Sequence, residues 1–91
     1  MATSDYCLKI IMLDDLRQAY IQFNTHQTCH VILKVMSEDD KEVRMLLNEE
    51  LEKGSNNVPF SFGNLTGTYN IRLVINMPDA IDIETQTIKI K

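Results

Sequence analysis

Residues 37–54, SEDDKEVRMLLNEELEKG, admit two opposite readings, and the choice between them sets the fold class. As a helix, Ser37 serves as the N-cap, Asp40 follows three residues on, and acidic side chains fill the first turn. Val43, Leu46, Leu47 and Leu51 then recur at helical spacing, and Lys53-Gly54 ends the element. Local propensity predicts a helix over 38–53. As a strand, Val43, Met45 and Leu47 share one face at period two. Periodicity within the stretch does not decide between them.

On either side the pattern is that of short strands. Residues 6–13 end at Asp14-Asp15; in 19–24, Ala19, Ile21 and Phe23 share a face; in 29–36, Val31, Leu33 and Val35 alternate with His30, Ile32 and Lys34, as a central strand would. A polar, Gly-containing stretch at 54–57 reads as a connection. Residues 58–62 follow, with Val58, Phe60 and Phe62 on one side and Pro59, which has no N–H to donate, marking an edge. After a turn at 65–67, residues 68–76 carry Tyr69, Ile71, Leu73 and Ile75 on one face. The last strand, 83–91, turns Ile88 and Ile90 inward and Lys89 and Lys91 outward, a Lys-rich end that suits a second edge. With 42–47 read as a strand, seven strands result.

The whole chain sets bounds. Its 91 residues fit a single domain, 1–91, which buries about 60–65% of the surface its unfolded chain exposes, so the core is thin. A hydrophobic content of 44% is that of a folded globular protein. The net charge is −4 and the nine Lys and Arg are scattered from Lys9 to Lys91, which argues against nucleic acid as a partner. The longest apolar run, 10–13, is too short for membrane insertion or for the apolar region of a secretory signal. Cys7 and Cys29 fall in different predicted strands; free, buried thiols are the expected state, with a single bridge as the alternative.

Candidate chemistry is sparse. His26, Cys29 and His30 are the one cluster of metal-ligand types. In an extended strand the two histidines stand about 13 Å apart with Cys29 facing the other way, so surface histidines beside a strand thiol are expected and no metal site. Glu38-Asp39-Asp40 lacks the alternating carboxylates and central Gly of a calcium loop and reads as a solvated turn. Glu49, Glu50 and Glu52 read as the exposed part of a hairpin. No nucleophile elbow, papain-like cysteine setting or phosphate-cradling loop is present, and Gly54, Gly63 and Gly67 lie singly in hairpins. The expectation is a non-enzyme without a cofactor. Asn64-Leu65-Thr66 matches the glycan acceptor pattern, as polar turns do by chance.

The pieces Ile21-Gln22-Phe23, the strand at 31–35, Asp39-Asp40, Val43-Arg44-Met45-Leu46, Gly54 and Leu65-Thr66-Gly67-Thr68-Tyr69 occur in an order that resembles a group of bacterial immunoglobulin-like modules. The group comprises the C-terminal module of flagellar hook-capping proteins, the sorting domains of type IX secretion, and small secreted immunoglobulin-like proteins of Bacteroides-type bacteria. The resemblance implies a hairpin at 38–53, and an extracytoplasmic setting, periplasmic or secreted; a cytoplasmic one stays open because no signal peptide is visible. Independently, Gly67 permits a tight turn of positive φ, and Tyr69 can bury its ring while its hydroxyl meets a nearby main-chain group, as in a tyrosine corner.

The fold expected is an all-β, immunoglobulin-like antiparallel β-sandwich of about seven strands. Its core would come from Ile21, Phe23, Val31, Leu33, Val35, Val58, Phe60, Leu65, Tyr69, Ile71, Leu73 and Ile88. The function expected is a protein-interaction or structural module of the bacterial cell envelope. It would bind another protein by strand addition at an exposed edge, with Val58, Phe60 and Phe62 on one candidate edge and Thr87, Lys89 and Lys91 on the other. Two alternatives stand beside it: a small-ligand or glycan binder, which needs aromatic side chains outside, and a cytoplasmic α+β protein with a helix at 38–53.

Overall fold

Alternation of apolar and polar residues, repeated through the chain, builds seven strands in the computed structural model, which describes residues 6–91. They are β1 (Lys9–Leu13), β2 (Gln18–Thr25), β3 (Cys29–Ser37), β4 (Glu42–Leu51), β5 (Gly54–Ser61), β6 (Gly67–Met77) and β7 (Ala80–Ile90), with one 3-10 turn at Asp14–Leu16. All pairings are antiparallel, in two sheets of order β1-β2-β5 and β4-β3-β6-β7. Strands one, two and five against three, six and seven is the immunoglobulin-like division of a sandwich; the fourth strand stays beside the third.

The 37–54 stretch is a hairpin arm, and the helix over 38–53 is overturned together with the α+β alternative. Two register shifts on β4 explain its helix-like spacing. Leu33 faces Leu47 and Lys34 faces Met45, so Leu46 is an extra residue; Val35 faces Arg44 and Met36 faces Glu42, so Val43 is another. A bulge sets two residues against one and breaks the period of two. Leu46 and Leu47, adjacent in sequence, therefore both pack against the core, with Leu51. Ser37, the would-be helix cap, instead closes the turn: its Oγ accepts the Lys41 N–H at 3.1 Å, and Asp40 takes φ 60°.

The sheets enclose side chains from alternate positions: Ala19, Ile21 and Phe23 from β2, Val31, Leu33 and Val35 from the central β3, Ile71, Leu73 and Ile75 from β6, Ile88 and Ile90 from β7. Phe60 and Phe62 complete the layer, their ring centroids 5.7 Å apart. Three residues expected in the core, Val58, Leu65 and Tyr69, are only half-buried and pack at its margin. Thr25 is the one buried polar residue among those described; its Oγ1 donates to the Glu52 carbonyl at 2.9 Å and accepts the Gly54 N–H at 3.1 Å, which fastens the β4–β5 connection.

Polar residues 54–57, expected as a connection, form the first half of β5, in register with β2 from Thr25↔Gly54 to Gln18↔Ser61. The turn before β6 is as expected: Gly67 has φ +107°, and the Tyr69 hydroxyl donates to the Thr66 carbonyl at 3.0 Å. The same end of the core is closed by Arg17. Its guanidinium donates to the carbonyls of Gly63 (3.0 Å), Leu65 (2.6 Å) and Lys91 (2.6 Å) and lies 5.0 Å from the centre of the Phe62 ring.

Candidate functional site

A sandwich this small has little relief, so the surfaces it offers are strand edges and outer faces. Among the described residues the two sheets have four edge strands, β1, β5, β4 and β7, and they differ in how open they are. β1 is only five residues long. β4 is interrupted by its two bulges and carries Glu42, Glu49 and Glu50, both devices that discourage pairing. β5 contains Pro59, and the Arg44 side chain of β4 reaches across to the Ser61 carbonyl at 2.5 Å, with its guanidinium 5.4 Å from the Phe60 ring centre.

β7 is the long, regular edge. Its register with β6 runs unbroken from Gly67↔Ile90 to Met77↔Ala80, and its other side pairs with no strand among the described residues. Along it, Ile81 and Ile83 point outward with 64% and 61% of their surface exposed, which is unusual for Ile. Register sets Ile83 beside Val74 of β6, and Val74 beside Ile32 of β3, so an apolar row crosses the outer face of the four-stranded sheet. On the other side of β7, Asp82 and Glu84 are half-buried, and the Tyr6 hydroxyl donates to Asp82 Oδ2.

The residues expected at the two edges separate clearly. Both strands are edges, as the sequence indicates. Phe60 and Phe62, however, are each 1% exposed and point into the core, and Phe62 lies beyond the end of β5. Val58 is half-buried opposite Ile21. Thr87, Lys89 and Lys91 are exposed, and the Thr87 hydroxyl donates to Asn70 Oδ1 at 2.8 Å. The sequence reading missed Ile81 and Ile83, although a signal was there: both share the parity of the outward Lys89, and Pro78-Asp79 just before them marks a two-residue turn.

The other candidates do not converge. His26 and His30 are exposed, Cys29 faces the core, and His30 Nε2 lies 2.6 Å from Asn48 Oδ1. Among the described residues no three His, Cys, Asp or Glu side chains gather as a metal site would require. Of the six aromatic rings four are buried and Tyr69 is half-buried at the margin of the core; Tyr20, half-buried at the outward parity of β2 between Ile11 and Pro59, is a single ring on an outer face. An open depression beside the 3-10 turn is lined by Met12, Leu13, Asp14, Asp15 and Leu16, with no basic or nucleophilic side chain among them. No helix of the described residues is long and apolar enough to cross a membrane.

Both cysteines are free, but Cys7 is exposed where a buried thiol was expected. Cys7 has φ 52°, a kink that takes it out of the alternation that β1 begins at Lys9. Cys29 is buried, and desolvation, then the nearby Glu50 carboxylate, push its thiol above the ordinary range. The fold holds the neutral thiol, so this group's contribution to stability is complete below the ordinary thiol pKa and is lost as pH rises through the raised value. Cys7 is expected to react with a thiol reagent in the folded protein and Cys29 only on denaturation; simultaneous labelling of both at neutral pH would contradict the burial of Cys29.

Neither a protein-family model nor a curated protein matches this chain.

Proposed function

We propose that this domain is a non-catalytic interaction module that accepts an extended segment of another protein along the edge of β7. The observation that carries the proposal is the contrast among the edges. Shortness, bulges or proline blunt three of them, whereas β7 offers eleven residues in unbroken register and two exposed isoleucines at alternate positions. Added strands gain affinity from main-chain pairing and choice from alternate side chains, and the Ile81–Ile83 half of β7 supplies both. The C-terminal half is less inviting, because Lys89 discourages pairing and Arg17 ties the Lys91 carbonyl to the end of the sandwich. A place in the bacterial cell envelope belongs to the same proposal, resting on the resemblance of the strand and turn pieces.

Site-specific photo-crosslinking in the source cells tests it. A photoreactive residue at Thr85, on the exposed edge, is expected to capture a discrete partner, and the same probe at Asn57 on β5 is not. Equal capture at the two sites, or none at Thr85, would remove the case for β7.

A further inference from the structure

The docking edge, if β7 is one, also constrains the chemistry of what docks there. A strand laid beside β7 meets two rows at once, because its own side chains alternate between the sheet's faces. Its outer row lies beside Ile81 and Ile83, and its inner row beside Asp82 and Glu84. The Tyr6 hydroxyl donates to Asp82, which orients the carboxylate without cancelling its charge. From this arrangement we infer that the partner segment is basic at alternate positions: Lys or Arg beside Asp82 and Glu84, with β-branched residues between them beside Ile81 and Ile83.

The same row argues against a second copy of this chain as the occupant. Antiparallel pairing of two β7 strands centred on Ile83 sets Asp82 of each copy against Glu84 of the other, and like charges directly opposite are destabilising. A chain of net charge −4 also favours approach of a positive segment over its own duplicate. Beyond Glu84 the inner row continues as Gln86 and the buried Ile88 and Ile90, which limits the basic positions to the first half of the edge.

The test uses the full chain labelled with ¹⁵N and three short, end-capped peptides that alternate Val with Lys, with Thr or with Glu. Amide shifts are followed during titration at low and high salt. The expected result is that Lys-Val perturbs the amides of residues 80–85, binds about tenfold more tightly than Glu-Val, and loses its advantage in salt. The double variant Asp82→Asn, Glu84→Gln is expected to bring Lys-Val down to the affinity of Thr-Val while the rest of the spectrum stays unchanged. Equal affinity for Lys-Val and Glu-Val at residues 80–85 would overturn the basic chemistry and leave the β7 edge standing. Shifts confined to β1, β4 or β5, or no binding at all, would overturn both. Concentration-dependent shifts at residues 80–85 of the chain alone would replace the peptide partner with a second copy.

Discussion

Phe60→Ala is expected to destabilise the domain by about 3–5 kcal/mol, the usual cost of removing a buried phenylalanine ring. Domains of this kind have a total stability of about 5–15 kcal/mol, so the variant should populate unfolded chain measurably at ambient temperature. The ring is 1% exposed, packs against Phe62, and lies beneath the Arg44 guanidinium, so its loss removes contacts on two sides and leaves a cavity that β5 closes poorly. Urea unfolding followed by far-ultraviolet circular dichroism measures it as a lower midpoint at an unchanged slope. The result also separates two roles for this side chain. A folded, stable Phe60→Ala protein would mean that the ring faces outward and serves binding, contrary to its burial.

Arg17→Ala carries the second large effect, about 2 kcal/mol, less than three charge-assisted hydrogen bonds add up to because two of the three are solvent-exposed. The loss leaves the Leu65 carbonyl, which is partly buried, without this donor and uncovers the face of the Phe62 ring. Lysine should restore little, since one ammonium group cannot meet three carbonyls in the plane that the guanidinium spans. Arg17→Gly should be milder than Arg17→Ala by about 1 kcal/mol, because residue 17 has φ 54°, where glycine is unstrained. Thermal melts of the three variants rank them; alanine and glycine variants of equal stability would mean that the left-handed backbone contributes no strain.

What the sequence disclosed follows from which interactions are local. Val31, Leu33 and Val35 alternate because β3 is covered on one face by the core along its whole length, and such a strand is plain in its own residues. The Gly67–Tyr69 turn was legible for a similar reason: the hydroxyl's partner, Thr66, is three residues away. Residues 54–57 misled because β5 is an edge whose first half is largely exposed on both faces, so pairing with β2 leaves no apolar alternation to see. In 37–54, bulges moved Leu46 and Leu47 to the same side of the strand, and the spacing imitated a helix.

The candidate site was legible only in part, since an edge is a property of the whole sheet. Pro59 and the Lys-rich end pointed correctly to two edges, but which of the two is open depends on Arg44, fifteen residues before Pro59, and on the side to which Phe60 turns.

The pairing of β3 with β6, in which His30 lies opposite Asn76, governs the time the chain needs to reach this structure. The β3–β4 and β6–β7 hairpins close over short turns, an event of about 1–10 microseconds. Joining them must wait until everything between β3 and β6 has been gathered in, and sandwiches built on such distant pairings fold in about milliseconds to seconds. For most of that interval one side of the core strand β3 has no neighbour. A freshly synthesised copy therefore passes through its most adhesive form before the protective edges of the finished sheet exist.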